Sequence, residues 1–511
     1  MSGRRQKKNS LTEQTRRSLL IVFGLAVALL IVQSVYFWDF GIDDVGISYR
    51  YALHLAEGKG LTWNTGGPKV EGYSNFLWVV ILAGGKLLGF DIEITSKILG
   101  VVLAAVSLLL FTILCRRIWY PQPFWWAPVL LVTVTPEWTA WSLSGLEISL
   151  YGAFLLLAAL GLTSVGRERT TLLAAGVAGL TLTRPEGVAV GFALLFAGVL
   201  FDRDTALTVR IRAVAIPAIV GGATFLALVL FRYAYFGYPL PNTVYAKFAG
   251  TLPSLGRVVE WLIFGLPFLL AWVIALRRLP HRGHLAVLAT APALVLFQAL
   301  IVLPVHPVMY FLHRYQIAFL PLLVLSVPAA LALIARRKRW AGIAVGVLVL
   351  AWTLQGWPAV HARYDSDKYV MDRQRCIVDH LSVLRGTPVI AMVDAGRIPY
   401  WTDLPSIDAW GLCEVKTARR GFSAEETIAR RPTAYIMSVN IRRRDEIRAH
   451  LGMDIIMTKI PEFNEEYALW KVCTGGAAKT EEHYDYAILL NVAWAQEQGL
   501  GERITRINWN Y

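Results

Sequence analysis

The sequence predicts a polytopic α-helical membrane protein with a soluble α/β domain at its C-terminal end, and three observations support this. Of the 511 residues 56% are hydrophobic, and the mean hydropathy is +0.49. These residues gather in long apolar runs as far as Trp357, a pattern typical of membrane helices. After Trp357 the sequence changes to mixed polar and apolar segments, which favours a separate soluble domain.

Twelve apolar runs are candidates for membrane spans. They lie near 19–38, 75–90, 97–114, 124–140, 146–165, 170–184, 186–201, 213–232, 259–276, 285–304, 316–335 and 340–357. A span needs about 20 apolar residues, and Gly84, Gly85 and Lys86 interrupt the run at 75–90. We therefore expect this run to be an interfacial helix on the outer leaflet, and the other eleven to cross the membrane.

The basic residues support the count of eleven. With eleven spans, all the short basic segments fall on one side of the membrane, and the acidic loops and the tail fall on the other. These segments are "SGRRQKKNS", "CRR", "GRER", "DRDTALTVRIR", "LRRLPHRGH" and "ARRKRW". Such loops are typical of cytoplasmic faces. We therefore expect no nucleic-acid partner, although the formal net charge is +14.

The tail has the pattern of an α/β domain. "TPVIAMVDAG" (387–396) and "TAYIMSV" (433–439) predict strands, and "SAEETIARR" predicts a helix capped by its serine. We predict a transmembrane domain over 1–358, with a first outer loop at about 39–96, and an extracytoplasmic α/β domain over 359–511. Three of the four cysteines lie in the tail without metal-ligand spacing, so a disulfide stays open.

Asp43 and Asp44 stand directly after the first apolar run. Acids at a membrane boundary cost free energy unless they are paired or used. The segment "VGISYRYALHLAEG" that follows predicts a helix, which one aspartate could cap for about 1 kcal/mol. One cap needs only one aspartate, so the pair indicates a functional site.

The remaining candidates are polar residues of the predicted outer loops and the tail. As catalytic acids we add Glu71 and Glu147; as ligands of a donor phosphate Arg184, Lys247, His313, Arg314, Tyr245 and Asn242; as substrate-binding residues Arg50, Tyr73, Asn75 and Asp394. A carboxylate can deprotonate a hydroxyl or stabilise a cationic centre. Cations stabilise a departing phosphate, and beside a bilayer the natural phosphate is that of a lipid.

Each candidate also has a purely structural alternative. Glu147 begins an apolar run and so could be a helix cap, while Arg50 and Arg184 could be interfacial anchors whose charges reach the membrane surface. Glu71 and Lys247 could be ordinary loop residues, and Asp394 follows a strand and could simply make a turn. His313 and Arg314 could likewise be structural residues at the interface. The sequence leaves these alternatives open.

Six motifs resemble one family. "DDVGISYRYALHLAEGKGLTWNTGGPKVEGYSNFLW" resembles the first outer loop of the GT-C membrane glycosyltransferases, which use polyprenyl-phosphate sugars. The terminal β-arabinofuranosyltransferases of mycobacterial arabinan and their bacterial relatives are the most similar group. "SGLE", "LTRPEG", "YFGYPLPNTVYAK", "HRYQIAFLPLL" and "DAGRIPYWTDLPSIDAWG" follow in the order of that family. The resemblance extends from the N-terminus to about residue 412.

The resemblance implies an essential acidic pair, which falls on Asp43 and Asp44, with Asp44 the better placed. It implies a donor such as decaprenyl- or undecaprenyl-phosphoryl arabinose, and a glycan or protein hydroxyl as acceptor. It also implies the bacterial cytoplasmic membrane, with the active site and tail outside. Transfer from a β-linked donor to a β-linked product retains the anomeric configuration, so a general base alone is insufficient. A divalent cation stays open as a cofactor, and its ligands are unknown.

We therefore expect a transferase of D-arabinofuranose or a related pentofuranose. One alternative is a lipid-linked mannosyl- or aminoarabinosyl-transferase that acts on protein or lipid A. Another is a transporter or flippase, which should place ionisable residues near the middle of broken, symmetry-related helices. The predicted helix centres are nearly free of charge and no half of the sequence repeats, which disfavours transport.

Overall fold

The computed structural model describes residues 2–202, 205–248, 255–276, 285–302, 311–337, 339–443, 446–474, 484–507 and 509. These residues form many apolar helices followed by a small sheet domain. The predicted polytopic helical protein with a C-terminal α/β domain is thus confirmed. The basic segment at 276–284, used in the topology prediction, lies outside the described residues except for its first residue.

The helices before the first strand follow the predicted apolar runs closely. They are α1 (Ser2–Tyr36), α2 (Val45–Ala56), α3 (Phe76–Leu87), α4 (Ile92–Trp119), α5 (Ala127–Val134), α6 (Pro136–Leu143), α7 (Ile148–Leu162), α8 (Gly166–Thr183), α9 (Gly187–Phe201), α10 (Leu207–Phe236), α11 (Asn242–Phe248), α12 (Leu255–Leu276), α13 (Leu285–Val302), α14 (Leu320–Val324), α15 (Val327–Arg337), α16 (Arg339–Leu354) and α17 (Trp357–Ser382).

The number of membrane spans remains a prediction. Within the described ranges, six helical segments are long and apolar enough to cross a membrane, and α6 with α7, bent by 116°, would make a seventh. Other predicted spans correspond to shorter helices such as α9. Helix α3 has 12 residues and is therefore about 18 Å long. It is too short for a hydrocarbon core of about 30 Å, as expected of an interfacial helix.

The chain forms two compact units. Unit 1 comprises Met1–Trp38, Ser96–Val229 and Thr251–His361, and unit 2 comprises Asp39–Thr95, Leu230–Gly250 and Ala362–Tyr511. Unit 2 therefore combines the tail with the first outer loop and a second loop segment. The predicted boundary between 358 and 359 stays a prediction.

Small residues allow the helices of unit 1 to pack closely. Helix α7 packs against α8, and α8 against α9. A Cβ atom on Gly176 would lie 2.7 Å from the Cβ atom of Ala158, so glycine is needed where α7 meets α8. Between α8 and α9 the chain breaks at 184–186, within the "TRPEG" motif. A second break, at Thr135 and Pro136, divides the predicted span 124–140 into α5 and α6, because proline removes a helical N–H donor.

Unit 2 is built around a six-stranded mixed sheet. The strands are β1 (Ile390–Met392), β2 (Ser406–Asp408), β3 (Ala434–Arg443), β4 (Glu446–Ala449), β5 (Tyr467–Cys473) and β6 (Asp485–Asn491). They lie in the order β2-β1-β3-β6-β5, with β4 paired to β3. Strand β1 runs parallel to β2 and β3, whereas β6 is antiparallel to β3 and β5. Both strands predicted from the sequence are present.

Six short helices of the described part of unit 2 lie between or after its strands. They are α18 (Arg397–Thr402), α19 (Val415–Arg420), α20 (Ala424–Ala429), α21 (Gly452–Thr458), α22 (Pro461–Glu466) and α23 (Val492–Glu497). The hydroxyl of Ser423 accepts a hydrogen bond of 3.1 Å from the backbone N–H of Glu426, which confirms the predicted serine cap of α20. From the first outer loop, α2 packs against α3 and α18.

A disulfide joins α17 to the end of β5. Cys376 and Cys473 are bonded across a sequence separation of 97 residues, while Cys115 and Cys413 are free and buried. Closing a loop of this length restricts the unfolded chain and is worth about 4–5 kcal/mol in the chain-entropy model. The bond therefore stabilises unit 2.

Replacing both Cys376 and Cys473 by serine should lower the thermal midpoint of unfolding, because the unfolded chain regains the entropy that the cross-link removes. Differential scanning of the purified protein with and without a thiol reductant measures this. Reductant should bring the unmodified protein down to the midpoint of the double variant and leave the variant unchanged. Equal midpoints for the oxidised protein and the variant would contradict the assignment.

Candidate active site

The acidic pair lies where α2 begins. Asp44 is the N-cap residue, with backbone angles of −52° and −24°, and its side chain makes no capping hydrogen bond. Asp43 precedes the helix, and its carboxylate has partners elsewhere in unit 2. Helix capping therefore does not explain either carboxylate.

Two glycines allow the "DAGR" turn (394–397) to reach Asp43. A Cβ atom on Gly46 would overlap the backbone of Gly396, and one on Gly396 would overlap the carbonyl group of Asp43. The backbone N–H of Arg397 then donates to Asp43 Oδ1 at 3.0 Å. The structure thus brings Asp43 close to the turn that holds Asp394. Both residues are site candidates in the sequence analysis.

The tail surrounds these acids with three further polar side chains. Gln374 Nε2, on α17, donates to Asp43 Oδ1 at 2.8 Å and to the hydroxyl oxygen of Tyr486 at 3.2 Å. The hydroxyls of Tyr484 and Tyr486 donate to Asp394 Oδ2 at 2.5 and 2.6 Å. Asp43 and Asp394 are partly exposed, while Gln374 and Tyr486 are buried. The buried groups hold the two acids, which are themselves only partly buried.

Burial and mutual repulsion weaken the acidity of this pair. Burial, with repulsion from Asp394, raises the pKa of Asp43 to about 8. Burial also raises the pKa of Asp394, although the hydrogen bonds from Tyr484 and Tyr486 oppose the rise. Perturbed acids in a partly open cluster are typical of a functional site.

Arg50 is buried and hydrogen-bonded to the backbone of unit 2. Its side chain is 1% exposed. Nε donates to the carbonyl of Trp63 at 2.7 Å, Nη2 to that of Leu404 at 2.9 Å, and Nη1 to that of Pro399. Asp403 lies 3.8 Å away. Because these donors are already used inside the protein, the structure favours the structural alternative for Arg50.

Glu71 is also paired inside unit 2. Its two carboxylate oxygens lie 3.0 and 2.9 Å from Arg232 Nε, and both side chains are buried. Burial raises the pKa of Glu71 to about 7, while Arg232 opposes the rise. Of its neighbours, Tyr73 packs edge-on against Tyr51 at 4.8 Å, and Asn75 Oδ1 accepts from the hydroxyl of Ser48 at 3.1 Å. A catalytic role for Glu71 would have to break its ion pair.

The residues of α11 have different degrees of access. Asn242 is buried, and its amide donates to the carbonyls of Gly411 and Leu412 at 2.8 and 2.9 Å. The Tyr245 ring lies 4.5 Å from the guanidinium of Arg419. Lys247 is partly exposed. Within this helix, Lys247 is the better candidate for an anion ligand.

Arg184 is the centre of a separate polar cluster in unit 1. Its guanidinium lies 2.8 Å from Glu186 and 3.6 Å from Glu147. It also faces the rings of Tyr151 and Tyr315 at 5.7 and 5.4 Å. Two carboxylates and two aromatic rings fix this arginine in the break between α8 and α9. Glu147 is the N-cap residue of α7 but makes no capping hydrogen bond.

Arg314 and His313 follow in the same unit. Arg314 lies over the rings of Trp141 and Tyr315 at 5.8 and 5.7 Å. His313 has a φ of 54°, a left-handed conformation that is uncommon outside glycine and clusters at functional sites. Its ring packs against Phe264 at 4.9 Å. The structure therefore groups the predicted Glu147, Arg184 and Arg314 in unit 1, and Asp43 and Asp394 in unit 2.

Sequence reasoning missed three residues of the acidic cluster. Gln374, Tyr484 and Tyr486 lie in regions where we recognised no motif. The alternation in "HYDYAILLN" places Tyr484 and Tyr486 on one side of an incipient strand, which is the only signal the sequence offers. Their partner Asp394 is about ninety residues away in the chain, so no local pattern identifies the contact.

A metal centre does not emerge from the residues described. Among them, one group of three ligand-type side chains is compact enough to share an ion, namely Cys376, His380 and Cys473. The two cysteines of this group form the disulfide, so it is not a metal site. Whether a divalent cation takes part in the chemistry stays a question for experiment.

Three solved structures are similar to this chain. The crystal structure of ArnT from Cupriavidus metallidurans bound to undecaprenyl phosphate matches at 12% identity and a TM-score of 0.58, covering 91% of this chain and 97% of that chain. Its apo form matches at 12% identity and 0.54, over 90% and 97%. The cryo-EM structure of the arabinofuranosyltransferase AftD from Mycobacteria matches at 15% and 0.54, over 93% of this chain and 40% of that chain.

The chain has the GT-C fold. The resemblance seen in the sequence motifs is confirmed at this level, and identities of 12% and 15% leave the substrate to be argued. The family model DUF8728, a domain of unknown function, matches residues 364–489 of this protein. This range includes Gln374, Asp394, Tyr484 and Tyr486. No curated protein matches.

Proposed function

We propose that the protein is a membrane glycosyltransferase that transfers D-arabinofuranose, or a related pentofuranose, from a polyprenyl-phosphate donor to a hydroxyl of a glycan or protein. The donor would be decaprenyl- or undecaprenyl-phosphoryl arabinose. The observation that carries this proposal is the acidic cluster of Asp43, Asp44 and Asp394, in a chain whose fold is shared with ArnT bound to undecaprenyl phosphate and with the arabinofuranosyltransferase AftD.

The acids supply the chemistry of such a transfer. Asp44 is partly exposed and makes no capping bond, so its carboxylate can accept the proton of the acceptor hydroxyl or stabilise the cationic sugar. The charge of Asp44 acts on both Asp43 and Asp394 in unit 2. In the overall reaction the bond from the sugar to the phosphate oxygen breaks, a bond to the acceptor oxygen forms, and polyprenyl monophosphate leaves.

The donor phosphate requires cations. In unit 2 the proposed ligand is Lys247, which is partly exposed. The sequence-predicted ligands Arg184, His313 and Arg314 belong to unit 1, and their role stays a prediction from the sequence. In unit 1, Arg314 lies over the ring of Trp141, and Arg184 faces the carboxylates of Glu147 and Glu186. Cations that stabilise a leaving phosphate act where its negative charge grows.

We place the tail outside the cytoplasmic membrane. The Cys376–Cys473 disulfide supports this, because such bonds persist in oxidising compartments and are rare in the cytosol. The positive-inside pattern supports it independently.

An impermeant thiol reagent should label Lys416→Cys in intact cells, because that side chain is exposed on the tail, and should not label Arg336→Cys unless the membrane is opened. The unmodified protein is the background control, since its free cysteines are buried. Protection of the Lys416→Cys variant would place the tail in the cytoplasm and contradict the proposed orientation.

A donor comparison tests the proposed activity. Purified protein in lipid nanodiscs is incubated with a cell-envelope glycan acceptor and one synthetic donor at a time: polyprenyl-phosphoryl arabinofuranose, mannose or aminoarabinose. Mass analysis of the acceptor should show transfer from the arabinofuranosyl donor. Transfer from the mannosyl or aminoarabinosyl donor alone would show that the proposed sugar is wrong and that the proposed reaction, glycosyl transfer from a polyprenyl phosphate, is right. Transfer from none would refute the proposal, and a chelator arm tests for a divalent cation.

A further inference from the structure

The hydrogen bonds of the acidic cluster form one continuous chain. It runs from Asp43 through Gln374 to Tyr486 and Asp394, and Tyr484 joins at Asp394. All of these groups belong to unit 2, and all but Asp43 lie in the tail. Because every link is a direct contact, the protonation of one acid depends on the other.

The surroundings of the pair do not neutralise two negative charges. Among the described residues, neither Asp43 nor Asp394 forms an ion pair with a lysine or arginine side chain. The charged and titratable groups that influence the pair, besides the two tyrosines, are Asp44, Arg397, His450 and Asp454. Two neighbouring acids without a paired cation resist full ionisation, and one of them retains its proton.

The geometry indicates which acid is ionised. Asp394 Oδ2 accepts both phenol hydroxyls, at 2.5 and 2.6 Å, and two O–H donors on one oxygen favour the charged carboxylate. Asp43 Oδ1 instead accepts two N–H groups, from Gln374 and Arg397, at 2.8 and 3.0 Å. Asp43 Oδ2 accepts no hydrogen bond from the described residues, so it is the oxygen of this acid that can carry a proton.

We propose that Tyr484, Tyr486 and Gln374 are positioning residues that decide which acid of the Asp43–Asp394 pair is protonated. The two phenols hold Asp394 as the anion, and Gln374 holds Asp43 so that its protonated oxygen can donate a hydrogen bond to an oxygen of the sugar or phosphate. The DUF8728 segment thereby sets the protonation of an acid in the first outer loop.

The electrostatics of the cluster agree with this assignment. Burial and the charge of Asp394 raise the pKa of Asp43 to about 8, so Asp43 retains its proton at neutral pH. Burial lowers the pKa of His450, whose ring stacks on Tyr484 at 4.9 Å, so this histidine does not supply a compensating charge near pH 7.

Infrared difference spectroscopy measures the proton directly. The full-length protein in nanodiscs is titrated, and the carbonyl stretch of protonated carboxyl groups is recorded. Asp43→Asn should remove one band that disappears near pH 8 in the unmodified protein. In the Tyr484→Phe/Tyr486→Phe variant Asp394 becomes the protonated acid, so the Asp43 transition should move down by more than one pH unit. Tyr467→Phe, which removes a buried phenol bonded to the carbonyl of Pro432, is the control and should not move it.

The outcomes separate this inference from the proposed function on which its substrate step rests. A band that survives Asp43→Asn unchanged, or a transition that the double phenylalanine variant does not move, would overturn the inference even if the protein transfers sugar. If the predicted band is observed but no donor supports transfer, the proton assignment is correct and the proposed transferase activity is wrong. Asp394→Asn, which also removes the anion, repeats the test if the double variant fails to fold.

Thermal unfolding gives a second readout. A carboxyl whose pKa is raised by folding stabilises the folded state at low pH, and this contribution is lost as pH rises from its ordinary value of 3.8 to about 8. The midpoint of the unmodified protein should therefore fall relative to that of Asp43→Asn across this range. A constant difference between the two midpoints would show that Asp43 is ionised throughout and contradict the inference.

Discussion

Asp44→Asn should abolish sugar transfer while the protein stays folded. Asparagine caps a helix about as well as aspartate, and the Asp44 side chain makes no capping bond in any case, so the change removes only the charge. A carboxylate that acts as a general base contributes about 10²–10⁴-fold, and we expect a loss of that size. Single-turnover transfer by purified protein measures it, with the thermal midpoint recorded alongside.

Asp39→Asn is the matched control for this prediction. Asp39 lies in the same loop, is 49% exposed and faces Lys368 at 3.9 Å, so its loss should leave the rate within about twofold. If Asp44→Asn keeps more than about half of the rate, Asp44 is not the catalytic carboxylate. Asp394 then becomes the next candidate, because Glu71 is paired with Arg232 and Glu147 lies 3.6 Å from Arg184.

Arg50→Lys should destabilise unit 2 strongly. Arg50 donates to three backbone carbonyls of unit 2, and lysine cannot reproduce the planar arrangement of donors that reaches them. Unsatisfied buried carbonyls cost about 1–3 kcal/mol each, and breaking a buried charged network costs about 3–5 kcal/mol. The thermal midpoint should fall by on the order of 10 °C.

Arg375→Lys provides the comparison for Arg50→Lys. Arg375 lies on the exposed side of α17, where a substitution is expected to change stability by less than about 0.5 kcal/mol. A stable Arg50→Lys protein with a raised KM for the donor would reverse the assignment. It would return Arg50 to the substrate-binding role that the sequence had suggested.

The acids of the candidate site stand out in the sequence because their signal is local. Asp43 and Asp44 follow an apolar run and precede a helix, and Asp394 follows a short buried strand, so each stands out within a dozen residues of sequence. The serine cap of α20 and strands β1 and β3 were predictable for the same reason. Hydrophobic periodicity and capping residues act over one or two turns of the chain.

The partners of these acids were not predictable, because long-range pairing creates them. Tyr486 reaches Asp394 only through the antiparallel pairing of β6 with β3 and the parallel pairing of β3 with β1. Arg50 resembles an interfacial arginine in sequence, and it is the carbonyls of Pro399 and Leu404, about 350 residues away, that make it structural. No sequence pattern within a single helix or strand predicts such long-range contacts.

The number of membrane spans could not be predicted from hydropathy alone. The run at 124–140 looks like one span by hydropathy, but Pro136 ends α5 and starts α6. The "TRPEG" motif predicts a break between two helices, and helix α8 does end there. Arg184 is its C-cap residue and has an extended backbone. Hydropathy therefore located the helices well but did not decide which of them cross a membrane.

The most direct test of the central claim is the stoichiometry of the released lipid. The unmodified protein is given polyprenyl-phosphoryl arabinofuranose and an acceptor glycan, and mass spectrometry counts the transferred sugar and the polyprenyl monophosphate formed. Our account predicts one polyprenyl monophosphate for each new glycosidic bond, and neither product from Asp44→Asn. Transfer that consumes a nucleotide sugar instead, or lipid phosphate released without a new bond, would contradict it.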